Sequence, residues 1–419
     1  MTHKERFLRT MRFQPVDHVP DQEFGYWGET LAAWHKQGLP EWVNSNDAAD
    51  RYFGFAPQAY APVNIGIIPA FEYQVLEEDD RHRIIIDSGG VKCLVHKDGQ
   101  ASIPKHLKFP VETRDDWNEF KKRYDPTTPG RYPGNWDSIR DELNASDIPM
   151  GIHCGSLFGW VRNHMGFENL SITCADDPDF VEEMVEHTAN FILKVIDKAV
   201  REVKFDYAMI WEDIAFNKGP MVSPAMFRRF TAPGYKRITD LLRQHGCEVV
   251  YVDCDGNINE LVEVWLDSGV NCMFPLEIRG GSDPYPMREK YGNRVLLAGG
   301  VDKTQLIAGK EAIRKEVKRL EKLVEMGGFI PHVDHRCPPD VTYENYLYYL
   351  DVKRDAFGIP RPAAYEARVS GSKGSKGSKG GAAARWLPPS QVPGTHISSL
   401  TLTSPLAVPR RCPVRQPAC

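Results

Sequence analysis

DYAMIWED, residues 206–213, is a short apolar run closed by two acids, and the pattern recurs downstream. CEVVYVDCD (247–255), VNCMFPLE (270–277), RVLLAGGVD (294–302) and FIPHVDH (329–335) are all of this kind. Helical signals fill the gaps between them. Asp177-Pro178 reads as an N-cap with proline at the first helical position. Behind it Phe180, Met184, Ile192, Ile196 and Val203 recur at helical spacing. Ser223-Pro224 opens a second helix that closes at His245-Gly246, and Asn257 begins a third that stops at Gly269. A short helix around 287–291 ends at Gly292, and a long amphipathic one over 310–326 ends at Gly327-Gly328. Upstream, HVPDQEF (18–24) and IPMGIHCG (148–155) fit the strand rhythm.

Continuous apolar strands alternating with helices indicate a parallel sheet covered on both faces. An open sheet concentrates its chemistry at one crevice, whereas a closed barrel gathers every strand end at one mouth. Ionisable groups at the end of nearly every strand favour the barrel. The expected fold is therefore α/β, a (β/α)8 TIM barrel with an N-terminal extension. RIIIDSGG (83–90) and VKCLVHKDG (91–99) predict a β-hairpin inserted over its mouth. The tyrosine-rich stretch TYENYLYYLDVKRDAFG (342–358) predicts a final helix packed on the barrel.

The 419 residues are 42% hydrophobic and carry a net charge of −5, which argues against nucleic acid or an anionic membrane as main partner. No apolar run is long enough to span a bilayer, and the charged N-terminus lacks a signal-peptide centre. Nine scattered cysteines make no disulfide framework, so a reduced cytoplasmic protein is expected. Residues 367–419 differ in kind: eight Lys or Arg, seven Pro, no acid, and the repeat SGSKGSKGSKGG. This reads as a disordered, non-native tail on a domain of residues 1–366.

The expected strand ends present Glu23, His153, Glu212, Asp213, Asp253, Asp255, Glu277, Asp302, His332, Asp334, His335 and Cys337. Converging on one mouth, such groups offer ligands for a divalent metal such as zinc, or carboxylates that tune one another as acid and base. Taken singly, each acid is more simply a helix cap or salt-bridge partner. Asp253 and Asp255 point the same way on an extended segment, and His332, His335 and Cys337 put three donors within six residues. Trp27 and Trp211 are candidates to line a pocket for a flat ligand. Ala298-Gly299-Gly300-Val301-Asp302 could cradle an anion, though a tight turn explains it as well.

Several longer blocks resemble the uroporphyrinogen decarboxylase superfamily. They are KERFLRTMRFQPVDHVP (4–20), GSLFGWVRNHMGFENL (155–170), WEDIAFNKGPMVSPAMFRRFTAPGYKRI (211–238), VDCDGNINELVEVWLDSGVNCMFPLE (252–277), GGVDK (299–303) and GGFIPHVDHRCPPDVTYENYLYYL (327–350). The resemblance covers residues 3–358 and implies a (β/α)8 barrel. True decarboxylases of the family carry an arginine signature of the type RQAGRY that holds the substrate's carboxylates. The matching region here, DQEFGYWGET (21–30), is acidic. The likeness is thus closer to the cobalamin-linked methyltransferases, and implies transfer of a methyl group from a small methoxylated or methylated substrate to a corrinoid (cobalamin) on a partner protein. Zinc-dependent members hold the metal with an HxC pair and a distant Cys. The matching positions here are Asp253 and Asp255, with His332 or Cys337 downstream, a harder donor set. On this reading Glu212, Asp253 and His153 are catalytic, and Glu23, Trp27, Trp211, Glu277 and Asp302 contact substrate. The rival readings are a uroporphyrinogen decarboxylase-like decarboxylase and a non-catalytic tetrapyrrole- or corrinoid-binding barrel. Nothing in the sequence speaks against a homo-oligomer.

Overall fold

Seven parallel strands run side by side in the order of the chain: β1 (Ala59–Tyr60), β2 (Met150–His153), β3 (Tyr207–Trp211), β4 (Val249–Asp253), β5 (Cys272–Leu276), β6 (Leu296–Val301) and β7 (Phe329–Val333). They belong to a computed structural model that describes residues 1–97 and 104–362. The expected tail at 367–419 lies outside the described residues. Helices follow most strands, so consecutive strands are neighbours and both faces of the curled sheet are covered.

The helices form where their caps and apolar stripes dictate. Asp177 caps Pro178–Glu202 by accepting from Phe180 N–H, and Phe180, Met184, Ala189, Ile192 and Ile196 bury the inner face. Pro224–Gln244 is capped by Ser223 and tolerates Pro233 in its interior. The two helices pack together across Gly234, where a Cβ would stand 2.8 Å from a Leu157 methyl and 3.0 Å from Ala189. The helix expected to begin at Asn257 is shorter, Val262–Asp267, because Asn257 and Asn259 turn the chain with side-chain hydrogen bonds instead.

Two expectations need correction. HVPDQEF forms no strand. Residues 21–27 instead lie irregularly between the two sheet edges. Ala56 N donates to Asp21 O (2.7 Å) just before β1, while Cys337 N donates to Gly25 O (2.9 Å) just after β7. A single bridge, Tyr26 to Cys337, is all the pairing it makes. The final helix, Tyr343–Ala356, holds this segment electrostatically: buried Lys353 meets Asp21 (3.0 Å) and Glu23 (2.7 Å), and Arg354 meets Asp21 (2.8 Å). The inserted hairpin is also larger than expected. Strands Gln74–Glu78, His82–Ile86, Lys92–His96 and Lys105–Lys108 make a four-stranded antiparallel sheet after β1. Its outer strands are fully exposed and charged, so they carry no apolar alternation to betray them.

Side chains alternate along each strand, and one set makes a separate interior cluster: Tyr207, Val249, Tyr251, Cys272, Phe274, Leu296, Ala298 and Ile330. Helix His3–Met11 drives Phe7 and Met11 into that cluster. It is tied to the N-terminal ends of the strands through Lys4 N to Asp147 O and Gly328 N to Thr10 O. The N-terminal extension therefore plugs the lower end, and the C-terminal ends stay available for chemistry.

Candidate active site

Two residues beyond Tyr207 and Met209 the inward row of β3 reaches Trp211, and two beyond Val249 and Tyr251 that of β4 reaches Asp253. Register sets Trp211, Asp253 and Phe274 side by side across β3, β4 and β5. An acid thus stands between two aromatic groups on top of an apolar interior. Among the described residues the Asp253 carboxyl has no hydrogen-bond partner. Burial pushes it well above the ordinary carboxylate range; Asp255 and Asp213 push further the same way, and Arg336 opposes them.

Asp213 and Asp255 flank it. Asp213 adopts φ +49°, a left-handed conformation unusual for a residue with a Cβ. Arg162 fixes that turn by donating to the Asp213 carbonyl and approaching its carboxylate at 3.5 Å, with its guanidinium 5.3 Å above the Trp211 ring. Asp255 accepts from His335 Nε2 at 3.2 Å. The His335 ring stacks on Trp27 (5.4 Å, 24°) and meets Phe24 edge-on at 5.4 Å. Arg336 lies over the same two rings, 5.4 Å from Phe24 and 5.6 Å from Trp27.

Two histidines complete the upper interior as neutral groups. His153 stacks on Tyr60 at 4.0 Å, and burial lowers its pKa to about 4. His332 is lowered to about 3 by burial. Its Nδ1 lies 2.8 Å from the Val333 carbonyl, so that nitrogen bears the hydrogen and Nε2 keeps its lone pair.

Other expected site residues are occupied by the scaffold. Glu212 is fully buried and accepts from Leu157 N, Phe158 N, Gly159 N, Ser156 Oγ and Tyr235 Oη, which clasps the start of helix Phe158–Met165. Glu23 accepts from Val333 N, Tyr349 Oη and Lys353 Nζ. Glu277 takes Gly256 N and Lys303 Nζ, and Asp302 caps helix Lys303–Ala308. Gly299 and Gly300 belong to β6 itself. A Cβ on Gly299 would meet the Leu276 backbone nitrogen at 2.7 Å, so these glycines serve close strand packing and not an anion cradle.

The four expected zinc ligands are not gathered. Cys337 is 1% exposed in the main core, its thiol raised well above its ordinary value by burial. His332 turns among Phe24 and Phe274. Among the described residues no three His, Cys, Asp or Glu side chains are placed to hold a metal ion. What the structure does bring together is Asp213, Asp253, Asp255, His335, Arg336, Trp27 and Trp211. Arg336 and Phe24 were not singled out from sequence; the signal was available only in their position beside His335 and Glu23.

Comparison with known proteins fits this architecture. The profile of the uroporphyrinogen decarboxylase family (URO-D) matches residues 90–355, and the chain belongs to that family. A methyltransferase from Methanosarcina mazei is similar in structure, at TM-score 0.53 and 16% identity, over 85% of this chain and 99% of that one. A B12-independent methionine synthase from Shewanella sp. W3-18-1 is a weaker match, at TM-score 0.32 and 10% identity, over 74% of this chain and 77% of that one. No curated protein matches the sequence. Among the described residues no helix is long and apolar enough to cross a membrane.

Proposed function

We propose that the chain is a corrinoid-dependent methyltransferase that demethylates a small methoxylated or methylated compound and hands the methyl group to a corrinoid on a partner protein. The observation that carries this reading is Asp253: an acid without a hydrogen-bond partner among the described residues, its pKa raised by burial, between Trp211 and Phe274 at the C-terminal ends of the strands. An ether is a poor leaving group unless its oxygen receives a proton. As the oxygen–methyl bond breaks, its electron pair settles on oxygen and Asp253 supplies the proton. Asp253 is then a carboxylate facing Arg336, and the Asp255–His335 pair beside it is the group placed to restore the proton.

When bound, the reduced corrinoid supplies the nucleophile for the methyl carbon. The chain itself need offer only an open, aromatic-rimmed approach, and Trp27, Phe24 and Trp211 suit that role; Trp27 is 37% exposed. Among the described residues no three of these donors are gathered to hold zinc, and the proton comes from Asp253. Full occupation of Glu212 by five donors supports a positioning role for it, not a catalytic one.

The test is incubation of the protein with reduced cobalamin and a panel of methoxylated and N-methylated donors, following the corrinoid's visible spectrum. Methylation of the corrinoid by at least one donor is expected. Carbon dioxide release from a porphyrinogen, with no methyl transfer, would replace this reading by the decarboxylase.

A further inference from the structure

We infer that Arg336 is the substrate-anchoring residue of this site, and that the methyl donor is a small, flat monocarboxylate. The inference rests on the methyltransferase reading for the word donor, but its evidence is separate. Burial lowers three arginines below their ordinary value: Arg131, Arg288 and Arg336. Arg131 and Arg288, both buried, donate to several backbone carbonyls, whereas Arg336 is only partly buried. Arg336, among the described residues, has neither a hydrogen bond nor an ion pair. Its guanidinium carbon lies 5.4 Å from the centre of the Phe24 ring and 5.6 Å from that of Trp27. Its N–H groups are therefore unspent among the described residues, and a guanidinium matches a carboxylate with two parallel hydrogen bonds.

The neighbouring acids do not use these groups. Asp255 is engaged by His335, and Asp253 makes no ion pair with Arg336 and has its pKa raised by burial. Burial and the neighbouring acids favour the neutral form of Asp253, and this eases the approach of a single negative charge to Arg336. The other guanidinium near the site, Arg162, is already taken up by Asp213. The surface beside Arg336 is the exposed Trp27 ring, which suits a flat body by stacking.

Calorimetric titration of the full chain, without corrinoid, with 4-methoxybenzoate and with its neutral analogue 4-methoxybenzamide tests the inference. The acid should bind at least roughly tenfold more tightly than the amide. Arg336→Met should bring the two to equal affinity while leaving the amide's affinity unchanged, which shows the pocket intact. Arg336→Lys should recover only part of the preference, because an ammonium cannot offer the paired edge. Equal binding of acid and amide to the unmodified chain, binding of neither, or a preference that survives Arg336→Met would each overturn the inference. Acid preference with no methyl transfer from any donor would leave Arg336 as the anchor and remove the methyltransferase reading alone.

Discussion

His335 Nε2 stands 3.2 Å from Asp255 Oδ2 while the same imidazole ring stacks on Trp27. One side chain thereby fixes both the outer carboxylate and the aromatic rim. His335→Phe keeps the ring contacts and removes the proton-bearing nitrogen. Its expected effect is a slower proton return to Asp253 with little change in donor binding, seen as a fall in kcat at nearly constant KM. A matching fall in affinity would show that the ring, and not the Asp255 pair, is what matters.

Glu212 gives a prediction of the opposite kind. Glu212→Gln leaves some of its five donors without an acceptor in a fully buried place, and this costs about 3 kcal/mol of unfolding free energy, measured in urea. The folded fraction should retain chemistry. Loss of activity in a variant of unchanged stability would return Glu212 to the catalytic set.

Lys353 is wholly buried against Asp21 and Glu23. Lys353→Met strands Glu23 in the core, while Asp21 keeps Arg354, and should cost about 3–5 kcal/mol. Hydrogen exchange should then rise first in residues 21–27, which have almost no ladder of their own. Uniform exchange throughout the chain would contradict the idea that the final helix holds this segment shut.

His153 is neutral in the fold with a pKa of about 4, against 6.5 for an ordinary histidine. Its folded value is the lower one, so the unfolded chain binds the extra proton between the two. The stabilisation is complete above pH 6.5 and is lost as pH falls toward 4. His153→Phe keeps the stack on Tyr60 and removes this term. The drop in Tm between pH 7 and pH 5 should be smaller in the variant, and an unchanged drop would place the acid sensitivity elsewhere.

Much of this was legible in the residues. Apolar runs closing in acids located β3 to β7, and the caps at Asp177 and Ser223 located the two longest early helices, because burial and capping leave local marks. Residues 18–24 misled for a related reason: Val19 and Tyr26 are buried, but the segment is held by its carbonyls and by Lys353, which no local pattern encodes. β1 is only Ala59–Tyr60 between two prolines, too short for periodicity. At the site, sequence could name the acids but could not say which were spent. Glu212 and Glu23 are consumed by donors brought from distant elements and Asp302 by the helix it caps, whereas Asp253 is left without one. Arg336 becomes conspicuous only once Phe24 and Trp27, some three hundred residues earlier, are seen beneath it.

The central claim is that a protonated Asp253 releases the methyl-bearing oxygen. Its most direct test is single-turnover methyl transfer to reduced cobalamin, comparing the unmodified protein with Asp253→Asn, each checked for native stability. The account predicts transfer by the unmodified protein from a methoxylated donor, slowed roughly a hundredfold or more in the variant. Equal rates in the two proteins, or no transfer from any donor in the panel, would contradict it.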